Sequence, residues 1–472
     1  MTPRFTLSYG LRWELNQPPT ANGGLDPVTV LGLNTPETAT LAPTGTPLWN
    51  TTYTNFAPRV GVVYQLFQEP GRETVLRGGA GIFYDLGYGS IANAFGDAFP
   101  YVTTKRLFNI PFPLSVDDAT PATTPTVNAL YVFEPDIELP RTYQWNFSVE
   151  QSLGKDQTIT ASYVAAVGRK LLRTDTLWGS AFGGTLNPAV FPDFAQVIVS
   201  RNTATSDYHA LQAQFQRRLT RGLQALASYT WAHSIDIASN DSFNVNTPSA
   251  KVDPGTDRGP SDFDVRHAFN SAVTYDIPPL LKDGVGKAIF RNWSIHALFT
   301  ARSATPVNVT YAIFAPTVAG IALVRPDLVE GIPVYIDDPS APGGRRFNNA
   351  ISFPPDNPFP QIGPFLPPFP SRQGSLGRNA LRGFPVYQLD FALGRQFKFG
   401  ERANVQFKTE FFNIFNHPNF GDPDGSLFSP TFGFSTSMLG RSLGSGGTLG
   451  GFNPLYQIGG PRSIQFSLKL GF

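Results

Sequence analysis

The stretch RSIQFSLKLGF, residues 462–472, closes the chain and decides how the rest is read. Ile464, Phe466, Leu468, Leu470 and Phe472 fall on one parity, and Ser463, Gln465, Ser467, Lys469 and Gly471 on the other. Side chains along a strand point alternately to opposite faces, so this is a strand with one apolar and one polar face. An apolar terminal strand at the edge of a soluble sheet invites aggregation. In a membrane barrel the apolar face meets lipid, the polar face meets a wet lumen, and the edge pairs with the first strand. The stretch therefore predicts an all-β, transmembrane antiparallel barrel.

The same alternation recurs upstream. It predicts strands over 4–15, 56–67, 73–85, 141–153, 157–167, 207–219, 223–234, 264–277, 291–302, 386–399 and 403–415, about twelve with the last one. In 141–153, Tyr143, Trp145, Phe147 and Val149 oppose Gln144, Asn146, Ser148 and Glu150. A strand of about 12 residues, at about 3.3 Å each and tilted near 45°, spans about 25 Å, the height of an outer-membrane apolar band. The connections alternate long and short along the whole chain. Long surface loops and short periplasmic turns give that pattern, and an even count puts both chain ends on the short-turn side. Residues 304–384 are Pro-rich and predict only one short strand, near 307–311. On parity alone Arg12, Gln144, Glu150, Gln212, Gln214, Gln216, Asn292 and Lys469 line the lumen.

Composition removes several classes. Lys plus Arg total 36 and Asp plus Glu 35 in 472 residues, so no nucleic-acid partner is implied. With no cysteine there is no disulfide scaffold and no Cys-based metal site. No apolar run reaches the ~18 residues of a membrane helix. The opening MTPRFTLSYG has no basic region followed by an apolar core, so no signal peptide is read there.

The chemistry of catalysis leaves little trace, and the chain reads as a non-enzyme without a cofactor. Gly440-Arg441-Ser442-Leu443-Gly444 fits G-x-S-x-G in letters, but it sits in a Gly/Ser loop rather than a strand–turn–helix elbow. His209, His233, His267, His296 and His417 are scattered, without metal-ligand spacing, and read as hydrogen-bonding residues of rim or lumen. The stretch 253–267, DPGTDRGPSDFDVRH, is denser in charge. Asp253, Asp257, Asp262 and Asp264 are weak candidates for a surface cation site, since oxygen-rich loops hold Ca²⁺. The spacing is not that of an EF-hand loop, and the other reading is a salt-bridged loop that ties a strand to the rim.

Several runs carry a resemblance: FAPRVGVVYQL followed by LRGGAGIFYD within 56–85, RTYQWNFSVEQSLGKDQTITASYVAAVGRKL at 141–171, YHALQAQFQRRLTRGLQALASYTWAHSID at 208–236, DRGPSDFDVRHAFN at 257–270 and NVQFKTEFFNIFNHPNF at 404–420. In order along nearly the whole chain, they resemble the barrel of Oar-like TonB-dependent outer-membrane receptors. That resemblance implies an amino-terminal signal peptide, a carboxypeptidase-regulatory-like domain, a plug and a barrel of about 22 strands, with TonB acting through the plug. Residues 1–472 match the carboxy-terminal portion of the barrel, and plug, signal peptide and amino-terminal domain are absent from it. The expected partners are outer-membrane lipid, the barrel-assembly machinery through the strand ending at Phe472, TonB by way of the plug, and an unknown substrate. No substrate-binding residue carries over from the family.

Lipid-facing strand edges leave N–H and C=O groups unsatisfied at several kcal/mol each. Twelve strands must therefore close on themselves, pair with further strands, or fail to insert. The receptor barrel stands against two alternatives: a stand-alone small outer-membrane channel, and a secreted β-rich carbohydrate-binding or adhesion protein.

Overall fold

A computed structural model describes residues 4–22, 26–85, 127–178, 186–187, 189–191, 194–239, 254–278, 291–314, 321–369, 373–399, 403–439 and 459–471, with Phe95, Pro113 and Ser115 as single positions. Twelve strands form one continuous antiparallel sheet in sequence order. They are β1 (Phe5–Asn16), β2 (Thr52–Phe67), β3 (Thr74–Tyr84), β4 (Arg141–Ser152), β5 (Gln157–Trp178) and β6 (Phe194–Thr220). The others are β7 (Leu223–Asp236), β8 (His267–Ile277), β9 (Trp293–Arg302), β10 (Val386–Phe399), β11 (Ala403–Phe412) and β12 (Ser463–Gly471). Every strand expected from alternation is present.

The register explains why alternation was so clear. From Leu7 one cross-strand row runs through Val62, Gly78, Phe147, Tyr163, Leu211 and Trp231. At the far end Tyr275, Ile295, Leu393, Thr409 and Phe466 continue the same face. This face is exposed although apolar: Leu11 is 68% accessible, Phe466 68% and Leu468 64%. A soluble protein rarely exposes so large a contiguous apolar surface. The opposite face carries Arg12, Gln144, Glu150, Gln212, Gln214, Gln216 and Lys469 in register. Asn292 departs from that expectation. It sits in the bend before β9 at φ +60°, and its Nδ2 donates to the Gln396 carbonyl at 3.2 Å.

Short turns join the strands at one end. Between β6 and β7 the turn is Arg221-Gly222, with φ +49° and +78°, the left-handed pair that suits a two-residue hairpin. A Cβ on Gly222 would lie 2.6 Å from the Asp276 carbonyl oxygen. Gly222→Ala is expected to cost about 1–3 kcal/mol, read as a lower melting point in detergent. An unchanged melting point would contradict this turn geometry.

Three expectations are corrected. First, β12 does not pair with β1. Among the described residues each has a ladder on one side only, β1 with β2 and β12 with β11, and the two are opposite ends of the strand order. Second, most of the loop expected from 168 to 206 is strand. β5 and β6 rise together as a tall hairpin, past bulges at Gly168–Leu171 and Leu171–Arg173. Alternation loses its signature there because charged Arg173, Asp175 and Arg201 join the pattern. A seven-residue strand, Val127–Phe133, lies parallel to the start of β6.

Third, residues 304–384 form a compact lobe. It is built from minimal ladders such as Pro306–Val307 with Leu381–Arg382 and Tyr311–Phe314 with Ile321–Val324. Its core joins Val309, Tyr311, Phe347, Phe365 and Leu376 to Leu427 and Phe432 from the β11–β12 loop. A second core gathers Val30, Leu33, Leu130, Val132, Val197 and Val199 from other loops and the far, loop-side end of the tall hairpin. The apolar residues of the loops are thus buried above the sheet rather than on it.

Candidate functional site

The site has two parts, the polar wall of the sheet and the loop-side mouth above it. The mouth is organised by the charged stretch 253–267. Asp253 lies outside the described residues. The other three candidate carboxylates each receive an arginine from the 304–384 lobe. Arg325 donates from Nη1 to Asp257 Oδ1 at 2.7 Å and from Nε to the Leu376 carbonyl at 3.1 Å. Arg378 donates to Asp262 Oδ1 at 3.3 Å, to the Asp257 carbonyl at 2.9 Å and to the Asp236 carboxylate. Arg382 donates to Asp264 Oδ2 at 2.6 Å and to the Asp264 carbonyl at 3.0 Å. Arg173, on the tall hairpin, places Nη2 3.3 Å from Asp257 Oδ2. Arg325, Asp257 and Asp264 are about 1% accessible.

These pairs give the acidic stretch a mechanical role: it is the socket into which the lobe plugs three guanidinium groups. The structure therefore does not bring the aspartates together as a cation cage. Each carboxylate faces arginine, Asp257 both Arg325 and Arg173, and among the described residues no group of three or more His, Cys, Asp or Glu is placed to hold a metal. The sequence offered a salt-bridged loop as one reading. It could not show that the partners lie 60 to 120 residues further on.

Electrostatics at Asp264 make this socket pH-sensitive. Burial alone would raise its carboxyl. The backbone N–H of Ser234 at 2.8 Å, the Arg382 guanidinium and His233 outweigh burial and hold it below the ordinary 3.8. Arg266 Nη2 donates to His233 Nε2 at 3.1 Å, so the ring proton sits on Nδ1, which donates to Asp264 Oδ1 at 3.1 Å. The folded value is depressed, so the stabilisation is complete above 3.8 and is lost as pH falls through the lower folded value. Protection of lobe amides, relative to their intrinsic exchange at each pH, should hold from neutral pH down to about 4 and fall below it. A lobe that loosens instead between neutral pH and about 5 would contradict this assignment.

The remaining sequence candidates are dispersed. His209 and His267 lie on the apolar face, not in rim or lumen, where each ring Nδ1 is 2.7 Å from a hydroxyl, of Tyr163 and Tyr229 respectively. With Trp145 and Trp231 they form an aromatic belt toward the loop side, as an interfacial girdle requires. His296 is on the lumen face, 3.1 Å from Thr274 Oγ1. His417 stacks on Tyr387 with ring centroids 3.6 Å apart. The G-x-S-x-G segment and Phe472 lie outside the described residues.

The polar wall differs from strand to strand. On β1–β3 it carries Arg12, Glu14, Arg59 and Arg77, with Arg12 paired to Glu14 and Arg77 to Glu150 at 3.2 Å. On β10–β12 it carries Asp390, Lys398, Lys408, Glu410 and Lys469, with Lys408 Nζ 2.6 Å from Glu410. Between these flanks, β4–β8 present amides and hydroxyls. Such a surface can bind and orient a solute.

Comparison with known proteins agrees with this architecture. The profile described as an outer membrane beta barrel domain matches residues 1–444. Among solved structures, the outer membrane transporter YddB from Escherichia coli is similar at 10% identity and a TM-score of 0.48, covering 90% of this chain and 41% of that one. The ferric-catecholate import receptor Fiu from E. coli K12 gives 10% identity and a TM-score of 0.42, covering 100% of this chain and 42% of that one. The ferric enterobactin receptor PfeA from Pseudomonas aeruginosa gives 10% and 0.43, covering 100% and 43%. The chain thus spans less than half the length of each of these proteins. No curated protein sequence is significantly similar to it.

Proposed function

This chain belongs to the outer membrane beta barrel domain family and resides in the outer membrane, and from that premise we propose that it is barrel wall and loop mouth of an Oar-like, TonB-dependent receptor that imports a solute. The observation that carries the reading is the two-faced sheet with a folded lobe bolted over one end. Its apolar face is made for lipid, its polar face for water and solute, and its long loops for capture outside the cell.

The open edges favour a partial barrel over a stand-alone channel. Among the described residues β1 and β12 each pair on one side only, and open edges are not tolerated in lipid. In this reading further strands complete the barrel, a plug fills it, and TonB acts on the plug. The barrel-assembly machinery engages the strand that ends at Phe472. The protein works as a binding and transport device rather than a catalyst.

Capture by the periplasmic domain of TonB tests the reading. The whole gene product, solubilised from outer membranes, is expected to be retained, and residues 1–472 alone are not. Failure to retain the whole product would overturn TonB dependence. Capture of residues 1–472 alone would overturn the assignment of the TonB contact to a plug.

A further inference from the structure

We infer that the loop-side end of the apolar face over β4–β6 is a docking site for a phosphate-bearing lipid of the outer leaflet. The site is on the face turned to lipid, away from lumen and plug, and it stands whatever the barrel imports. Its basis is a row of cations where the sheet is otherwise apolar. Arg141 of β4 and Arg169 of β5 are direct cross-strand neighbours on the parity of Tyr143 and Val167. Lys170 follows at φ +56°, within the first bulge of the tall hairpin. Arg258 reaches the same place on β6 from the charged stretch, donating to Thr205 Oγ1 at 3.2 Å. At that end of the same face β1, β2, β9, β10 and β12 present Trp13, Phe56, Ala301, Tyr387 and Ile464, none of them cationic.

Two carboxylates organise the four cations. Glu138 holds Lys170 Nζ on one oxygen and Arg141 Nη1 on the other, both at 2.9 Å. Asp207 does the same for Arg169 at 2.8 Å and Arg258 at 2.5 Å. Four positive charges against two negative leave an excess of two. That excess is the exposed part. Asp207 is 16% accessible, whereas Arg169 and Arg258 are each 41% and Lys170 43%. A guanidinium has five N–H donors, and among the described residues Arg258 gives one to Thr205 and one to Asp207.

Height selects a lipid headgroup. The row stands beyond the belt of Trp145, His209 and Trp231. Arg141 is four residues past Trp145, about 13 Å along the strand and about 9 Å in height at a tilt near 45°. Aromatic belts mark the boundary between hydrocarbon and headgroups, so the row is level with the phosphates. A phosphate brings charge and several acceptor oxygens, which clustered guanidinium groups match with bidentate hydrogen bonds. Cationic clusters beside a membrane surface hold anionic headgroups for this reason. A zwitterionic headgroup would bring a further cation to a site already in positive excess. Acyl chains of the same molecule meet Phe147, Tyr163 and Leu211, one cross-strand row nearer the membrane centre. A soluble anion lacks that second contact.

The test uses the whole gene product purified in mild detergent from outer membranes and stripped of lipid. It is titrated with bisphosphorylated lipid A, with lipid A freed of both phosphates, and with inorganic phosphate. The bisphosphorylated form is expected to bind at least about tenfold more tightly than the dephosphorylated one, and millimolar inorganic phosphate should not displace it. Lys170→Gln with Arg258→Gln cancels the excess charge and leaves each carboxylate one partner. This double variant should bind at least about tenfold more weakly, while Lys155→Gln, in a short turn at the other end of the sheet, binds as before. Should the double variant fail to insert, Lys170→Gln alone, which breaks an exposed pair of little weight in folding, should weaken binding about fivefold. Equal binding of the two lipid A forms, displacement by inorganic phosphate, or indifference to these substitutions would overturn the inference. Unsubstituted protein released from membranes by an alkaline wash would overturn it together with the barrel facing on which it rests.

Discussion

Asp257→Ala is expected to release the 304–384 lobe from the barrel rim, at a cost of about 3–5 kcal/mol. Asp257 is the carboxylate that Arg325 and Arg173 share, at 2.7 and 3.3 Å, and all three side chains are at most 3% accessible. Removing it leaves the buried Arg325 guanidinium with backbone carbonyls alone and Arg173 with only Asp175, 3.6 Å from its Nε, and uncompensated buried charge is far more costly than a lost surface pair. The loss concentrates at the joint, because the lobe keeps its own core of Phe347, Phe365, Leu376 and Phe432. Trypsin should then cut after Arg378 or Arg382, whose guanidinium groups are held in the docked joint by Asp236 and Asp264. Adding Arg325→Met removes one stranded charge and should recover part of the protection. Asp338→Ala serves as comparison. It breaks the surface pair with Arg346 at 2.8 Å, and exposed pairs contribute little, so the lobe should stay docked. Equal protection in Asp257→Ala and the intact protein would show that the socket does not hold the lobe.

Phe466→Arg is expected to cost about 2–4 kcal/mol and to lower the outer-membrane yield. Phe466 is near the middle of β12, 68% accessible and stacked on Phe407 with centroids 6.2 Å apart. An arginine there stands in hydrocarbon. Gln465→Arg, one residue away, points to the lumen opposite Glu410 and gains an ionic neighbour, so it should be tolerated. Equal yields of the two variants would reject the facing of the whole sheet, since one register links β12 to every other strand.

The sequence made the wall legible and hid the mouth. Alternation is a direct image of a two-sided environment, lipid on one side and water on the other, and it holds wherever the chain crosses the membrane. Leu7, Phe147, Tyr163 and Phe466 could be placed on one face without a structure for that reason. Above the membrane the environment has more than two sides. β5 and β6 carry on there with Arg173 and Arg201 in their pattern, and the 304–384 lobe uses ladders of two to four residues interrupted by prolines. Neither leaves a period to detect. The acidic stretch was conspicuous for its charge, but pairing of Asp257 with Arg325, of Asp262 with Arg378 and of Asp264 with Arg382 is set by tertiary docking. Alternation left open whether twelve strands close on themselves or pair with further strands, and the observed ladders put β1 and β12 at opposite ends of the strand order.

Because the chain contains no cysteine, single cysteines can be placed along β12 without background, and this permits the most direct test of the two-faced wall. Spin labels at positions 464 to 470 are compared for collision with oxygen, which concentrates in lipid, and with a water-soluble nickel chelate. The account predicts strict alternation: Ile464→Cys, Phe466→Cys, Leu468→Cys and Leu470→Cys report lipid, while Gln465→Cys, Ser467→Cys and Lys469→Cys report water. Nickel access that is uniform along the strand would contradict it.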